Sequence, residues 1–227
     1  TVVPYLQRIE KMLAGMITRK PVRLDDVSDL VREQLFDVDL EGNDLNVWLY
    51  ETARTAISFG HVGVLVDAPK EGDKTRPYWV TYSPRNILGW RSEIIDGARQ
   101  LTQLRLLENV VEPDGKYGEK QVKQIRVLER GRYEIHRKDK KNSEYKLFDE
   151  GEMSLKDKIP FAVAYSNRVG FYESRSPLYD IAELNLKHYQ IQSDLDNILH
   201  ISSVPLLAVF GYPNADEITT GPSEALA

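Results

Sequence analysis

The chain has 227 residues, 41% hydrophobic and 29% charged, which is typical of a globular protein with one large or two modest domains. Its formal net charge of −5 argues against a protein that clamps DNA with a broad basic surface, because phosphate binding requires clustered lysine and arginine. The lack of cysteine excludes disulfides, thiolate metal sites and cysteine nucleophiles, and the lack of a long apolar run predicts no membrane-spanning helix.

The first part of the chain is predicted to be helical. Residues 4–18 carry apolar side chains at helical spacing, residues 25–35 form a shorter amphipathic segment, and residues 45–59 form a third helix that ends at Gly60. The chain begins with neither an initiator methionine nor the pattern of a secretory signal, so we expect an internal fragment.

The middle of the chain is predicted to form an antiparallel meander with one solvent-facing side. The hairpin loop EPDGKYGEKQ connects two of its longest strands. The predicted strands are 62–67, 78–83, 86–91, 101–111, 123–130, 132–138, 144–148 and 161–166. The apolar residues that recur in it with period two are Leu104, Leu106, Ile125, Val127, Tyr133 and Ile135.

A long helix is predicted from Ser176 to about Ile201, with Ser176 as a cap and Pro177 at its first position. One face is an apolar seam with a period of 3.5, as in helices that pack against other helices. The seam consists of Ile181, Leu184, His188, Ile191, Leu195 and Ile198. A polar stripe repeats the same spacing and consists of Asp180, Glu183, Lys187, Gln190, Asp194 and Asn197.

The predicted fold class is therefore α+β, with N-terminal helices, a central antiparallel β-meander, and a long, projecting C-terminal helix followed by a strand at 204–211. We expect three regions: a body at 1–170, the long helix at 171–202, and a truncated region at 203–227.

No arrangement of residues predicts an enzyme. The four histidines lie far apart in the sequence, and no phosphate-binding glycine loop or nucleophile motif is present. Asp67 ends an apolar strand, but it enters a highly charged loop, which favours a solvated position. The carboxylates of the long helix share a face with lysine and amide side chains, so we expect neither a metal site nor a cofactor.

Taken in order, several segments resemble the portal proteins of tailed bacteriophages, including a portal-like phage and prophage family of unknown function. The most specific segments are HVGVLVDAP and RPYWVTYSPRNILGWR near the start of the meander. KIPFAVAYSNR and the stretch SPLYDIAELNLKHYQIQSDLDNILHISSVPLLAVFG follow later in the chain. The resemblance covers nearly the whole chain and rests on the order of these segments.

This resemblance implies a fragment that covers the wing (1–170), the first stem helix and the start of the clip. It implies a structural subunit of a ring, usually of twelve copies, at the portal vertex of the virion, assembled in the host cytoplasm. The implied partners are other copies of the chain, the terminase motor, capsid and head-completion or tail proteins, and double-stranded DNA that passes through without sequence-specific binding. The polar stripe would face the channel, and the seam would pack helices together.

Two other functions fit the sequence. One is a protein-binding module whose long helix docks in a partner's groove. The other is an α+β enzyme of phage or prophage origin, which an ordered pocket with convergent titratable groups would favour.

Overall fold

The computed structural model of the chain describes residues 4–68, 76–138 and 144–203. These residues divide between two units: Gln7–Tyr179 forms one, and the other joins Thr1–Leu6 to Asp180–Ala227. The predicted strand at 204–211 and the region 203–227, apart from its first residue, lie outside the described residues. The fold is α+β, as predicted: N-terminal helices precede antiparallel sheets in a meander, and a long helix follows.

Three helices open the chain: α1 (Tyr5–Ile17), α2 (Asp29–Gln34) and α3 (Leu45–Phe59). At the start of α3, the Asp44 carboxylate accepts a hydrogen bond from the backbone N–H of Val47, which satisfies one unpaired donor of the first turn. Gly60 ends α3 in a left-handed conformation, with φ of 92°, as the sequence predicts. A β carbon at this position would lie 2.5 Å from Ser174 Oγ, so only glycine fits.

The strands form two main sheets, both antiparallel. Strand β1 lies at the centre of a three-stranded sheet of order β2-β1-β8, and the meander is a five-stranded sheet of order β3-β4-β5-β6-β7. The short strands β9 and β10 form a hairpin before the last helix. The bounds are β1 His61–Asp67, β2 Tyr78–Tyr82, β3 Ile87–Ile95, β4 Ala98–Asp114, β5 Gly118–Glu129, β6 Arg132–Lys138, β7 Tyr145–Glu152, β8 Phe161–Tyr165, β9 Arg168–Gly170 and β10 Glu173–Ser174.

The main apolar core lies between these two sheets. Leu65 of the smaller sheet packs with Leu104, Leu106 and Leu128 of the larger one, and all four side chains are almost fully buried. Because strand side chains alternate between faces, this contact orients one whole face of the meander inward. The inward face holds the charged groups described below.

Strands β4 and β5 are longer than predicted. Their pairing continues to Asp114 opposite Gly118, so the turn consists of only three residues instead of the ten-residue loop. Polar residues of the predicted loop pair across the hairpin, as Glu112 does with Lys120. The Asp114-Gly115 pair, which predicts a turn, lies where the two strands meet.

Candidate interaction surface and buried ionic network

The long helix, α4 (Tyr179–Ser202), is a single uninterrupted helix. It begins two residues after the predicted start at Pro177. Ser176 Oγ accepts a hydrogen bond from the backbone N–H of Leu178 at 3.1 Å, and the Ser176 carbonyl accepts one from the N–H of Tyr179 at 3.3 Å. Ser176 therefore organises the turn that leads into the helix, in which Pro177 lies.

The predicted seam of α4 is on the surface of the chain, since no residue of this helix is buried. Leu184 and Ile191 are 65% and 67% exposed, and Leu195 and Ile198 are 45% and 60% exposed. Exposed apolar residues that follow one another in this way mark an interaction site more often than an ordinary surface. Within the same unit, the ring of Tyr5 meets the His188 imidazole edge-on, with centroids 5.8 Å apart.

The polar stripe of α4 is exposed along its whole length. Each stripe residue precedes a seam residue by one position, so the stripe lies about 100° around the helix from the seam. Three carboxylates and one lysine give it a formal charge of −2. No contact among the described residues assigns the stripe to a channel, and that role stays a prediction.

A third face of α4 was not expected from the two-stripe pattern. Leu186 and Tyr189 are exposed and lie outside both the seam and the polar stripe. On this side Gln192 Nε2 donates a hydrogen bond to Asp196 Oδ1 at 2.9 Å. The apolar surface of α4 is therefore broader than one seam.

In the other unit, a cluster of charged groups joins the two sheets. Arg126 of β5 points inward, and its terminal nitrogen donates to Asp67 Oδ2 of β1 at 2.6 Å. Its Nε lies 2.9 Å from Glu108 Oε1 of β4, an ionic contact without hydrogen-bond alignment. Asp67, for which a solvated loop position was predicted, is thus a partner of a largely buried guanidinium.

Two tyrosines of β2 complete the contact between the sheets. Tyr82 donates its hydroxyl hydrogen to Glu108 Oε1 at 2.6 Å, and Tyr78 donates to Asp67 Oδ2 at 3.3 Å. Burial and the negative charge of Glu108 raise the pKa of Tyr82 well above its usual range. Although burial opposes it, the charge of Glu108 and Asp67 raises the pKa of Arg126. Tyr82 is thus held neutral and Arg126 is held charged.

The network continues along the inward face of the meander. Gln124, only 3% exposed, donates to Glu108 Oε2 at 2.7 Å and accepts from Arg137 Nε at 3.0 Å. Arg137 also contacts Glu112 Oε1 at 2.6 Å, and this hydrogen bond lowers the pKa of Glu112. The network therefore links the two sheets through Arg126 and continues within the larger sheet through Gln124 and Arg137.

The orientation of β5 predicted from the sequence is wrong. Ile125 and Val127 were grouped with the core leucines of β4, but the register pairs Leu104 with Leu128 and Leu106 with Arg126. The predicted period of two in β5 is right, but the face assigned to its apolar residues is wrong. A strand with apolar residues on one face and arginine and glutamine on the other is expected to bury the apolar face, and β5 instead turns Arg126 and Gln124 inward.

The histidines do not form a metal site. His61 Nδ1 lies 2.5 Å from Ser174 Oγ, and His136 Nε2 lies 2.9 Å from Glu134 Oε2. Burial lowers the pKa of His61. In residues 4–68, 76–138 and 144–203, no group of three or more histidine and acidic side chains is arranged to hold a metal ion.

Three serines bind the carbonyl groups at the end of α3. Ser166 Oγ donates to the Ala56 carbonyl at 2.6 Å, and Ser176 Oγ donates to the Ile57 carbonyl at 3.1 Å. Ser174 Oγ lies 3.5 Å from the Phe59 carbonyl. The last carbonyls of a helix have no partner within it, so these hydroxyls both cap α3 and fix the segment that precedes α4.

Comparison with known families matches the C-terminal part of the chain. Residues 177–227 are similar to the family described as "Domain of unknown function (DUF4055)", so the match begins at the turn before α4. No curated protein shows significant similarity to the chain. No helix among the described residues has the length and apolar character required to cross a bilayer.

Proposed function

We propose that this chain is part of a portal subunit, the structural ring at the head–tail connection of a tailed phage through which DNA is packaged and ejected. In this proposal residues 1–170 belong to the wing, α4 is the first stem helix, and the clip begins after it. The observation that carries the proposal is the exposed apolar seam of α4. The segment order that resembles portal proteins supports it.

The energetics of the seam favour assembly. Burying a leucine or isoleucine side chain stabilises by about 1.5–3 kcal/mol, so the five aliphatic seam residues supply roughly 7–15 kcal/mol per subunit before the costs of association. A 24-residue helix with no buried residue obtains little of this from the residues that the structure describes. Helices of neighbouring subunits, arranged around a ring, would provide the missing contacts.

The polar stripe would determine the charge of the proposed channel wall. With a charge of −2 per copy, a ring of such helices would present a negative wall to DNA. Phosphates are repelled by such a wall and do not bind it, which suits a duplex that must slide. The chain itself would act as a structural subunit, with no catalytic step, while the packaging motor supplies the energy.

The test is electron microscopy of the full-length protein. We expect a ring with a central hole and many subunits, and the seam variant Ile191→Asp should give separate subunits at the same concentration. A full-length protein that is only monomeric or dimeric at all concentrations would exclude the portal function. That result would favour the helix as a binding module for another protein, or an enzyme.

A further inference from the structure

The N-terminal helices separate charge into two neighbouring segments of opposite sign. Residues 8–23, the basic segment, contain five basic residues and one glutamate, a formal charge of +4. Residues 24–44, the acidic segment, contain eight acidic residues and one arginine, a formal charge of −7. Charge asymmetry of this kind is typical of surfaces that meet a partner of opposite charge.

Few of these charges are neutralised by ion pairs. Glu10 Oε1 lies 2.9 Å from Arg54 Nε of α3, and Asp37 Oδ2 lies 3.3 Å from the Arg76 guanidinium. Among the residues that the structure describes, no other charged side chain of the two segments is in an ion pair, and no pair joins one segment to the other. Both segments therefore keep most of their charge.

The basic segment presents one exposed face of α1. Ala14, which is 0% exposed, and Glu10, which pairs with α3, lie on the side of α1 that packs on the body. The opposite side is exposed, and we call it the basic face: Arg8, Met12, Met16 and Arg19, at steps of four, four and three residues. Met12 and Met16 are 53% and 63% exposed, so this face combines positive charge with apolar side chains.

Gly15 is exposed beside this face, in the interior of α1. Glycine weakens a helix interior, and a β carbon here would meet no atom within 4 Å, so packing within the chain does not require a glycine. An exposed glycine lets a bulky side chain of another molecule approach the helix backbone closely. Met12 and Met16 on either side are flexible and polarisable, and methionine sulfur makes favourable contacts with aromatic rings. The basic face is therefore suited to an aromatic side chain.

The acidic segment carries an exposed aromatic side chain. Phe36, which follows α2, is 74% exposed. Backbone hydrogen bonds hold this segment on the body: the N–H of Leu45 donates to the Leu35 carbonyl at 2.9 Å, and the N–H of Trp79 donates to the Val38 carbonyl at 2.8 Å. Phe36 thus projects from an acidic surface whose backbone is fixed.

We propose that the basic face of α1 binds the acidic segment of a second copy of this chain, with Phe36 of that copy over Gly15. A second copy fits because one chain supplies both complementary surfaces. The two surfaces differ, so the contact is head-to-tail, and repeating it generates a ring when the rotation closes. The inference rests on the proposed ring function and adds a contact between neighbouring subunits to that of the α4 seam. Opposite charge would orient the contact, and the aromatic side chain would anchor it.

Charge reversal in the full-length protein tests the contact, with association measured by analytical ultracentrifugation and folding by urea unfolding. The first variant reverses the basic segment with Arg8→Glu, Lys11→Glu and Arg19→Glu. The second reverses three exposed positions of the acidic segment with Asp25→Lys, Glu33→Lys and Glu41→Lys. The matched control changes the net charge as the first variant does, at three exposed positions of β3 and β4: Arg91→Glu, Arg99→Glu and Arg105→Glu.

We expect each of the first two variants alone to associate roughly tenfold or more weakly than wild type at about 50 mM salt, because like charges then face each other. The control should associate as wild type does. Mixing the two variants should restore association, because each reversed surface then meets a surface of opposite charge. A single chain with all six substitutions should also recover it.

The aromatic anchor is tested separately by Gly15→Leu. Leucine favours a helix more than glycine does, so the variant should unfold at the same or a higher urea concentration. It should nevertheless associate roughly tenfold more weakly, because the leucine side chain occupies the space proposed for Phe36. Gln7→Leu, on a different side of α1, is the matched control and should leave association unchanged.

The outcomes separate this contact from the portal function. Rings and wild-type association in both reversed variants would overturn the contact and leave the portal function standing, and so would a loss of association that mixing does not restore. Restoration by mixing, in a protein whose wild type forms no rings, would support the contact and refute the portal function. A wild type without rings, together with reversed variants that do not bind each other, would overturn both.

Discussion

The sheet-containing unit and helix α4 distribute their polar and apolar groups in opposite ways. The sheets enclose Arg126 and Glu108 as an ion pair, whereas α4 leaves Leu184, Ile191, Leu195 and Ile198 on the surface. A buried charge is tolerated only when it is paired, and a row of exposed apolar side chains often marks an interaction site. Among the described residues, the first region therefore pairs its buried charges, and the second leaves an apolar seam uncovered.

The buried network also gives a physical reason for the strand register. Because Arg126 contacts Asp67 in one sheet and Glu108 in its own, a one-residue slip of β5 would turn the guanidinium to the opposite face. We infer that the network contributes specificity more than stability, since desolvation offsets much of the attraction in a buried ion pair.

The largest effect that separates the two regions is expected for Arg126→Met. Removal of the guanidinium leaves two carboxylates without their charged partner, which should lower the free energy of unfolding by roughly 3–5 kcal/mol. Urea unfolding of this chain measures the change. Arg105→Met on β4 is the matched control, because Arg105 is exposed, and it should change stability by about 0.5 kcal/mol or less.

A similar loss in both arginine variants would indicate that the network has no special role. A further variant sharpens the result. If unpaired carboxylates cause the loss, adding Asp67→Asn and Glu108→Gln to Arg126→Met should recover part of the stability, because the neutral amides cost less to bury.

The next largest effect is expected for Ile191→Asp in the seam of α4. It should leave the unfolding of the isolated chain unchanged, because Ile191 is exposed there, and it should weaken assembly of the full-length protein by roughly 2–3 kcal/mol per subunit. Analytical ultracentrifugation reports the assembly state. Gln190→Asp introduces the same charge one position earlier, on the polar stripe, and should leave assembly intact. Unfolding of the isolated chain by Ile191→Asp would place the seam inside the domain and contradict the comparison.

The contrast between the regions also explains which features the sequence predicts. Helices α1, α3 and α4 and most strands follow from local spacing and caps, and Gly60 ends α3 as expected. The inward position of Arg126 does not follow, because its partners Asp67 and Glu108 lie 59 and 18 residues away in sequence. Only the register brings them together. Exposure of the seam was predictable from its period, whereas the exposed Leu186 and Tyr189 on the third face were not.

A smaller effect is expected when the polar stripe changes sign. Asp180→Lys with Asp194→Lys adds four units, so the formal charge of the stripe goes from −2 to +2. If the stripe faces a channel, rings should form normally, and DNA packaging should slow through new phosphate contacts. The slowing should fade between about 50 and 200 mM salt.

Two single variants provide the matched comparison for the stripe. Asp194→Lys should slow packaging more than Asp196→Lys, because Asp196 lies off the stripe and pairs with Gln192. Packaging at the wild-type rate in the double variant at low salt would mean that the stripe faces elsewhere.

The smallest effect is expected at His61, a partly buried titratable group of the sheet-containing unit whose imidazole Nδ1 contacts the Ser174 hydroxyl. Burial lowers its pKa below the ordinary 6.5, so the unfolded chain takes up a proton at a higher pH than the folded chain does. This contribution to stability is therefore complete above about pH 6.5 and is lost as the pH falls toward the pKa of the folded state. Urea unfolding at about pH 7.5 and about pH 5.5 should show a smaller difference for His61→Asn than for wild type, while His200→Asn on exposed α4 should leave the difference unchanged. An unchanged difference in His61→Asn would mean that acid destabilises this unit through groups other than His61.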